Sequence, residues 1–264
     1  MLVFIRGAGD IATGIGLRLW RAGLQVVMTD IAYPTAIRRT VAFSECIFKG
    51  ETVVEGVTAR RSTPEQVSEL LAQKIVPVLV DPEGTSIAVL KPDVVVDAIL
   101  AKKNLGTKQT DAPVVIGVGP GFTAGEDCHA VVETMRGHTL GRVIYQGAAL
   151  PNTAIPGLIG GFAGERVLRA PDTGVFHALR DIGALVEAGE SVGEVNGKPM
   201  VCTISGVLRG ILPEGTPVQK GMKSGDVDPR GEKANCTTAS DKALAVGGGV
   251  LEALLCLSGV LRSE

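Results

Sequence analysis

The sequence predicts an α/β protein in which an N-terminal Rossmann-like parallel sheet is followed by a smaller β-rich domain and a closing helix. Three observations carry that expectation. Short apolar runs alternate with helical patterns through the first half of the 264-residue chain. After about residue 125, short strand-like pieces separated by glycine turns take over. The last apolar stretch then has helical spacing. The expected division is 1–125 and 126–264.

Residues 2–6 (LVFIR) read as a buried parallel strand ending at glycine. Over 10–22, Ile11, Ile15, Leu19 and Ala22 recur at helical spacing, with Gly23 as a C-cap. Residues 25–30 (QVVMTD) read as a second strand, and further strands are expected at 75–80, 93–97 and 113–118. Between them the clearest helix is 64–74, where Pro64 takes a favourable first-turn position. Beyond residue 125, CHAVVETMRG, LGRVIYQGA, ERVLRAPDTGVFHAL and PMVCTISGVLRGIL read as short strands. Within them, ALVEAGESVGEV at 184–195 resembles GILPEGTPVQKG at 210–221, so two similar hairpin units are expected in a small barrel. The final helix is expected over about 239–261.

Composition narrows the function. Aromatic residues make up 3% of the chain, so its core must come from Val, Leu, Ile and Ala. A net charge of −2 gives no electrostatic case for nucleic acid. Cys46, Cys128, Cys202, Cys236 and Cys256 are scattered without a CxxC pair, which argues for reduced thiols. The apolar run near the N-terminus is four residues long, and the stretch ending in LSGVL contains Glu252 and four glycines. Neither reads as a membrane span, and a cytoplasmic location is expected.

The strongest motif is Gly7-Ala8-Gly9-Asp10-Ile11-Ala12, a GxGxxA that follows a strand and opens a helix, with Asp30 ending the next strand. In a dinucleotide fingerprint Gly7 allows the tight turn, Gly9 admits a pyrophosphate, and Ala12 lets helix and strand pack closely. Asp30 would accept from a ribose. Asp10 would repel a phosphate unless turned outward, and capping of the helix is its simpler role. A second loop, with Gly119 and Gly121, ends the last parallel strand and should face the same crevice, although a plain turn fits it equally well.

Other candidates follow. If CHAVVET is a strand, His129 and Glu133 share a face as a metal or acid/base pair; separate surface roles are the simpler alternative. Asp226 and Asp228 alternate onto one face beside Arg230, as a site or as a salt-bridged turn. Cys236, with Asp241 and Lys242 nearby, lies at the start of the final helix, where a thiol pKa would fall. Cys236 is therefore the candidate reactive thiol, with an ordinary buried cysteine as the alternative.

These segments, together with PTAIRRTVAFSE and SDKALAVGGGVLEALL, resemble the YqeB family over almost the whole chain. The resemblance implies an accessory protein of selenium-dependent molybdenum hydroxylase systems, one that helps to mature or supply the selenium-containing molybdenum cofactor. Its partner would be a molybdenum hydroxylase or another maturation factor. The β region over about 165–235 resembles a barrel-sandwich hybrid domain of the biotinyl and lipoyl type, although Lys198 lacks the context of a modified lysine.

Three functions remain open. The first is that accessory role, with Gly7, Gly9, Asp10, Ala12, Asp30, Gly119 and Gly121 holding a nucleotide or dinucleotide. NAD(P) or a molybdenum cofactor dinucleotide would fit, and Cys236, His129 and Glu133 would supply chemistry. The second is an NAD(P)-dependent oxidoreductase, which lacks a clear catalytic pair. The third is a non-catalytic docking module for a hydroxylase subunit.

Overall fold

A computed structural model of the chain describes residues 1–153 and 156–261. The chain forms two compact units, one built from Met1–Pro34, Ala42–Asn152 and the chain from Ala239 onward, the other from Thr35–Val41 and Thr153–Thr238.

The first unit begins as the local patterns require. Strand β1 (Leu2–Arg6) is apolar up to its last residue, helix α1 (Asp10–Arg21) follows the glycine turn, and β2 (Gln25–Asp30) returns. Then come α2 (Cys46–Lys49), β3 (Glu51–Val54), β4 (Val57–Ser62), α3 (Val67–Ala72), β5 (Val76–Val80) and α4 (Ser86–Leu90). The expected helix at 64–74 is thus a 3-10 turn, Pro64–Gln66, running into α3. Strands β6 (Val94–Asp97), β7 (Val114–Val118), β8 (Thr123–Ala124), β9 (Ala130–Val132), β10 (Val143–Ile144) and β11 (Gly147–Ala148) complete this stretch.

Among the described residues, nine of these strands form one sheet in the order β10-β9-β7-β6-β1-β2-β5-β4-β3. Strands β9 through β4 run parallel, while β10 and β3 pair antiparallel at the two edges. One face packs Phe4, Val27, Val95, Val115 and Val131 into a core of mainly aliphatic side chains.

The second unit holds β12 (Val167–Arg169), β13 (Gly174–Ala178), β14 (Leu185–Val186), β15 (Ser191–Val195), β16 (Lys198–Val201), β17 (Gly206–Ile211), β18 (Pro217–Val218) and β19 (Lys223–Asp228). Among the described residues they form two four-stranded antiparallel sheets, β12-β19-β17-β14 and β16-β15-β13-β18. An internal repeat is present, in a register other than the expected one. Gly174, Val186, Gly189 and Val195 correspond to Gly206, Val218, Gly221 and Val227, each 32 positions on. Strand pairing obeys the same exchange: Leu185 faces Val207 while Pro217 faces Val175, and Val186 faces Gly206 while Val218 faces Gly174. The repeat is therefore a pseudo-two-fold in which each half lends its short strand to the other. In the second half, Arg209 forms a bulge against β19 between Leu208 and Gly210.

Helix α5 (Asp241–Ser258) returns to the first unit, with the Ser240 side chain capping Ala243 N–H. Gly14 of α1 meets Ala243, and Gly247 meets Ile15 and Arg18. Both indices rise together, so α1 and α5 run parallel and bring their N-termini side by side.

These findings correct the expected fold class. The fold is a mixed α/β structure, richer in strands than in helices, built on a large sheet with parallel and antiparallel pairings. It replaces the expected succession of a Rossmann-like parallel sheet and a barrel-sandwich-like domain, while the closing helix is present as α5, Asp241–Ser258. The large sheet runs past residue 125 through β9 and β10, and α5 packs on α1. Long-range pairing, invisible to local periodicity, decides all of this.

Candidate functional site

The carboxyl ends of the parallel strands gather most of the residues that the sequence singles out. Asp30 lies at the end of β2 beside the Gly7 turn, but its carboxylate faces inward. One oxygen accepts from Ala8 N–H at 3.0 Å and the other from Ile31 N–H at 2.8 Å. Burial, the largest influence, raises its pKa, against the lowering effect of those two bonds. Asp30 thus closes the glycine turn. Asp10 Oδ1 accepts from Ile11 N–H at 2.8 Å within the first turn of α1, whose N-cap is Gly9 without a side-chain cap, and Ala12 is buried in α1.

A Cβ on Gly9 would meet nothing within 4 Å, whereas Gly7, Gly119 and Gly121 serve a close approach of the chain to itself. A Cβ on Gly7 would stand 2.8 Å from Ala98 O, and one on Gly121 would stand 2.6 Å from Lys103 N. On Gly119 it would stand 2.8 Å from Thr134 Oγ1 and 3.6 Å from Leu100 Cδ2. All three turns close on the loop that follows β6. That loop is rooted in a buried network. Arg6 donates to Thr107 Oγ1 at 2.5 Å, Thr107 donates to Asp97 Oδ2 at 2.6 Å, and Arg6 and Asp97 pair at 3.5 Å. Arg6 also reaches the carbonyls of Pro82 and Leu105. Sequence reasoning passed over Arg6, Asp97 and Thr107. The available signal was an arginine and an aspartate ending two otherwise apolar neighbouring strands.

His129 and Glu133 flank β9 and do not form a pair. Four residues of extended chain separate them by roughly 13 Å. The His129 ring accepts at Nδ1 from Val115 N–H at 2.9 Å. Glu133 is buried and holds three main-chain donors: Thr134 and Met135 N–H at 2.7 Å on one oxygen, Leu150 N–H at 2.8 Å on the other. It ties the end of β9 to the segment after β11.

Cys236 belongs to the second unit and ends a 3-10 turn, Lys233–Cys236, whereas α5 belongs to the first. It is buried, with Sγ 3.9 Å from Leu208 O. Burial raises its thiol pKa against the lowering influence of Arg209 and Arg38, so the expected helix-terminus activation is absent there. Asp241 opens α5 and forms a two-point pair with Arg136, both contacts at 2.7 Å; Lys242 follows it, half-buried.

Asp226, Asp228 and Arg230 do come together, in the salt-bridged alternative. Arg166 meets Asp226 at 3.0 Å, Arg209 meets Asp226 at 2.5 Å and Asp228 at 3.2 Å, and Arg230 meets Asp228 at 2.6 Å. Burial alone would raise the Asp228 pKa; the bonds from Arg230 and the charge of Arg209 outweigh it and hold it at about 2. Arg166 and Arg209 were not foreseen. The bulge at Arg209 is what sets that side chain between the two carboxylates.

Among the described residues, no group of three or more His, Cys, Asp or Glu side chains is placed to hold a metal ion. No described helix is long and apolar enough to cross a membrane.

Comparison with known proteins gives one strong likeness in sequence. The chain is 52% identical over 257 residues to "Uncharacterized protein YqeB" of Escherichia coli K12, covering 97% of this chain and 48% of that protein. The chain thus spans about half the length of the curated relative it matches. No protein-family model matches the chain. Among solved structures, an aspartoacylase family protein of Mesorhizobium loti aligns with a TM-score of 0.28 at 10% identity, over 86% of this chain and 84% of that one. A succinylglutamate desuccinylase/aspartoacylase of Rhodobacter sphaeroides aligns with a TM-score of 0.25 at 16% identity, over the same shares. These likenesses are too loose to bear on fold or activity. No comparison supports a nucleotide, and Asp30, the acid expected to meet a ribose, accepts from Ala8 and Ile31 N–H. Nothing in this arrangement of side chains supports molybdenum or selenium.

Proposed function

The chain is a homologue of YqeB over about half of that protein's length, and from that premise we propose that it is a binding protein without catalytic chemistry of its own, engaging a partner through the carboxyl edge of its large sheet. The observation that supports this reading is the commitment of Asp30, His129 and Glu133 to main-chain N–H groups. A catalytic acid or base needs a lone pair or proton directed at substrate. Both oxygens of Asp30, both oxygens of Glu133 and Nδ1 of His129 direct theirs into the fold.

What the same edge offers outward is different in kind. Lys102 and Lys103 are exposed in the loop after β6, and among the described residues neither has an ion-pair partner. Ile31 and Tyr33 beyond β2, and Leu105 beyond β6, are exposed apolar side chains. Apolar contacts bordered by unpaired cations suit an acidic partner with apolar anchors. The accessory role implied by the sequence resemblance survives in this coarser form, as a protein that works beside a larger one.

The test uses cells lacking the chain and reads the trait that the wild-type restores. His129→Gln and Cys236→Ser are expected to restore it, whereas the double charge reversal Lys102→Glu/Lys103→Glu is expected to fail while remaining folded. The reverse pattern overturns the proposal.

A further inference from the structure

The loop between β6 and the buried Thr107 is built in three parts. At its start Ala98 is buried and Ile99 N–H donates to Asp97 Oδ1 at 3.1 Å. At its end the Asn104 side chain accepts from Gly106 and Thr107 N–H at 2.9 and 2.8 Å, and donates to Thr107 O and Asp127 Oδ1. Both ends are therefore fixed to the sheet. The middle is not. Among the described residues, no hydrogen bond is donated or accepted by Leu100, Ala101, Lys102 or Lys103.

That unbonded span is also strained. Leu100 and Lys102 hold φ values of 61° and 63°, a left-handed conformation that side chains with a Cβ disfavour. What keeps it in place is steric fit. Leu100 packs over Gly119, and Lys102 and Lys103 lie against Gly121, where even one added carbon would collide with the Lys103 backbone. Rigid hinges, a strained unbonded centre and a seat shaped for close backbone approach are the parts of a lid.

We propose that Leu100–Lys103 is a lid seated on the Gly119–Gly121 turn, which lifts to uncover the backbone at the carboxyl ends of β6 and β7. Its tip carries Lys102 and Lys103, so the group it answers to is negatively charged. This rests on the binding reading above, and it deepens it by naming the element that moves.

Proteolysis tests the lid without any partner, because trypsin needs a locally opened chain to cut after Lys102 or Lys103. In the wild-type chain the cut should be at least tenfold slower than in the denatured chain, yet faster than at Lys108. Gly121→Ala, which denies the loop its seat, should accelerate it about tenfold, by more than its loss of global stability in urea accounts for. If Gly121→Ala does not fold, Leu100→Ala removes the contact over Gly119 and should accelerate the cut severalfold. Cutting at the denatured rate in the wild-type chain, or rates unmoved in the folded variants, overturns the lid. Neither result touches the charge-reversal experiment, which judges the binding reading separately.

Discussion

A Cβ placed on Gly14 of α1 would stand 2.5 Å from the Cβ of Ala243 at the start of α5, so the two helices meet backbone to backbone. Gly247 repeats the contact one turn on: a Cβ there would stand 3.0 Å from the Gly14 carbonyl oxygen and 3.2 Å from Ile15 Cα. Gly14→Ala should therefore lower stability despite the better helix propensity of alanine. Propensity returns roughly 1 kcal/mol, while forcing a packed interface apart costs about 1–3 kcal/mol. Urea denaturation checks the sign: a net gain in stability would mean that α5 does not pack on α1 as described.

That contact also shows where the sequence was readable. Strands at 2–6 and 25–30 and the helix from residue 10 emerge at nearly the expected bounds, because apolar periodicity and the Gly7 turn are local signals. The return of α5 to α1 is not local. Gly14 and Gly247 look like weak points in their helices until the partner is seen. The 32-residue repeat was masked in the same way. Matching 184–195 to 210–221 aligns short glycine patterns that recur throughout the unit, and only the paired exchange of β14 and β18 sets the true register. At the site, residue types were legible but their direction was not: Asp30 and Glu133 are acids at strand ends whose bonds run inward.

Asp30→Ala should cost about 1–3 kcal/mol, because the wholly buried Ala8 loses the acceptor for its N–H. Asp30→Asn keeps one oxygen and should recover roughly half of that loss. The pH dependence has a defined sign. Burial raises the folded pKa above the unfolded value, so the aspartate's contribution relative to asparagine is greatest in acid and declines as pH rises through the raised value. Denaturation curves of the two proteins between pH 3 and 7 read it directly.

Asp228 should show the opposite slope. Its folded pKa of about 2 lies below the ordinary aspartate value of roughly 3.9. The stability it contributes is fully present above the unfolded value and is lost as pH falls toward 2. The size is on the order of 1–2 kcal/mol, reduced by the solvent that reaches Arg230. An Asp228→Asn protein should be less stable than wild-type at pH 6, with the gap narrowing between pH 4 and 2. A constant gap across that window would dissociate the carboxylate from its arginines.

Thiol reactivity separates the two outer views of Cys236. A buried thiol with a raised pKa reacts slowly with iodoacetamide at pH 8, while Cys256 is exposed on α5. Mass spectrometry of the native protein should find Cys256 alkylated first and Cys236 unmodified until the second unit unfolds. Early alkylation of Cys236 would restore it as a reactive group.

Glu133 offers the sharpest distinction between architecture and catalysis. Three main-chain donors on one buried carboxylate amount to a fastening that holds Thr134, Met135 and Leu150 together. Glu133→Ala removes all three acceptors and should cost about 2–4 kcal/mol, since bonds to a charged acceptor are worth more than neutral ones. Glu133→Gln retains one oxygen, so it can keep either the Thr134 and Met135 pair or Leu150, and should fall between. Amide exchange resolves the choice: in the glutamine protein, protection should drop on one side of the fastening while the other persists. A proton-transfer role would instead leave exchange and stability near wild-type in the glutamine protein while abolishing biological activity. Geometry argues against that outcome, because no oxygen of Glu133 is left facing away from the main chain it binds.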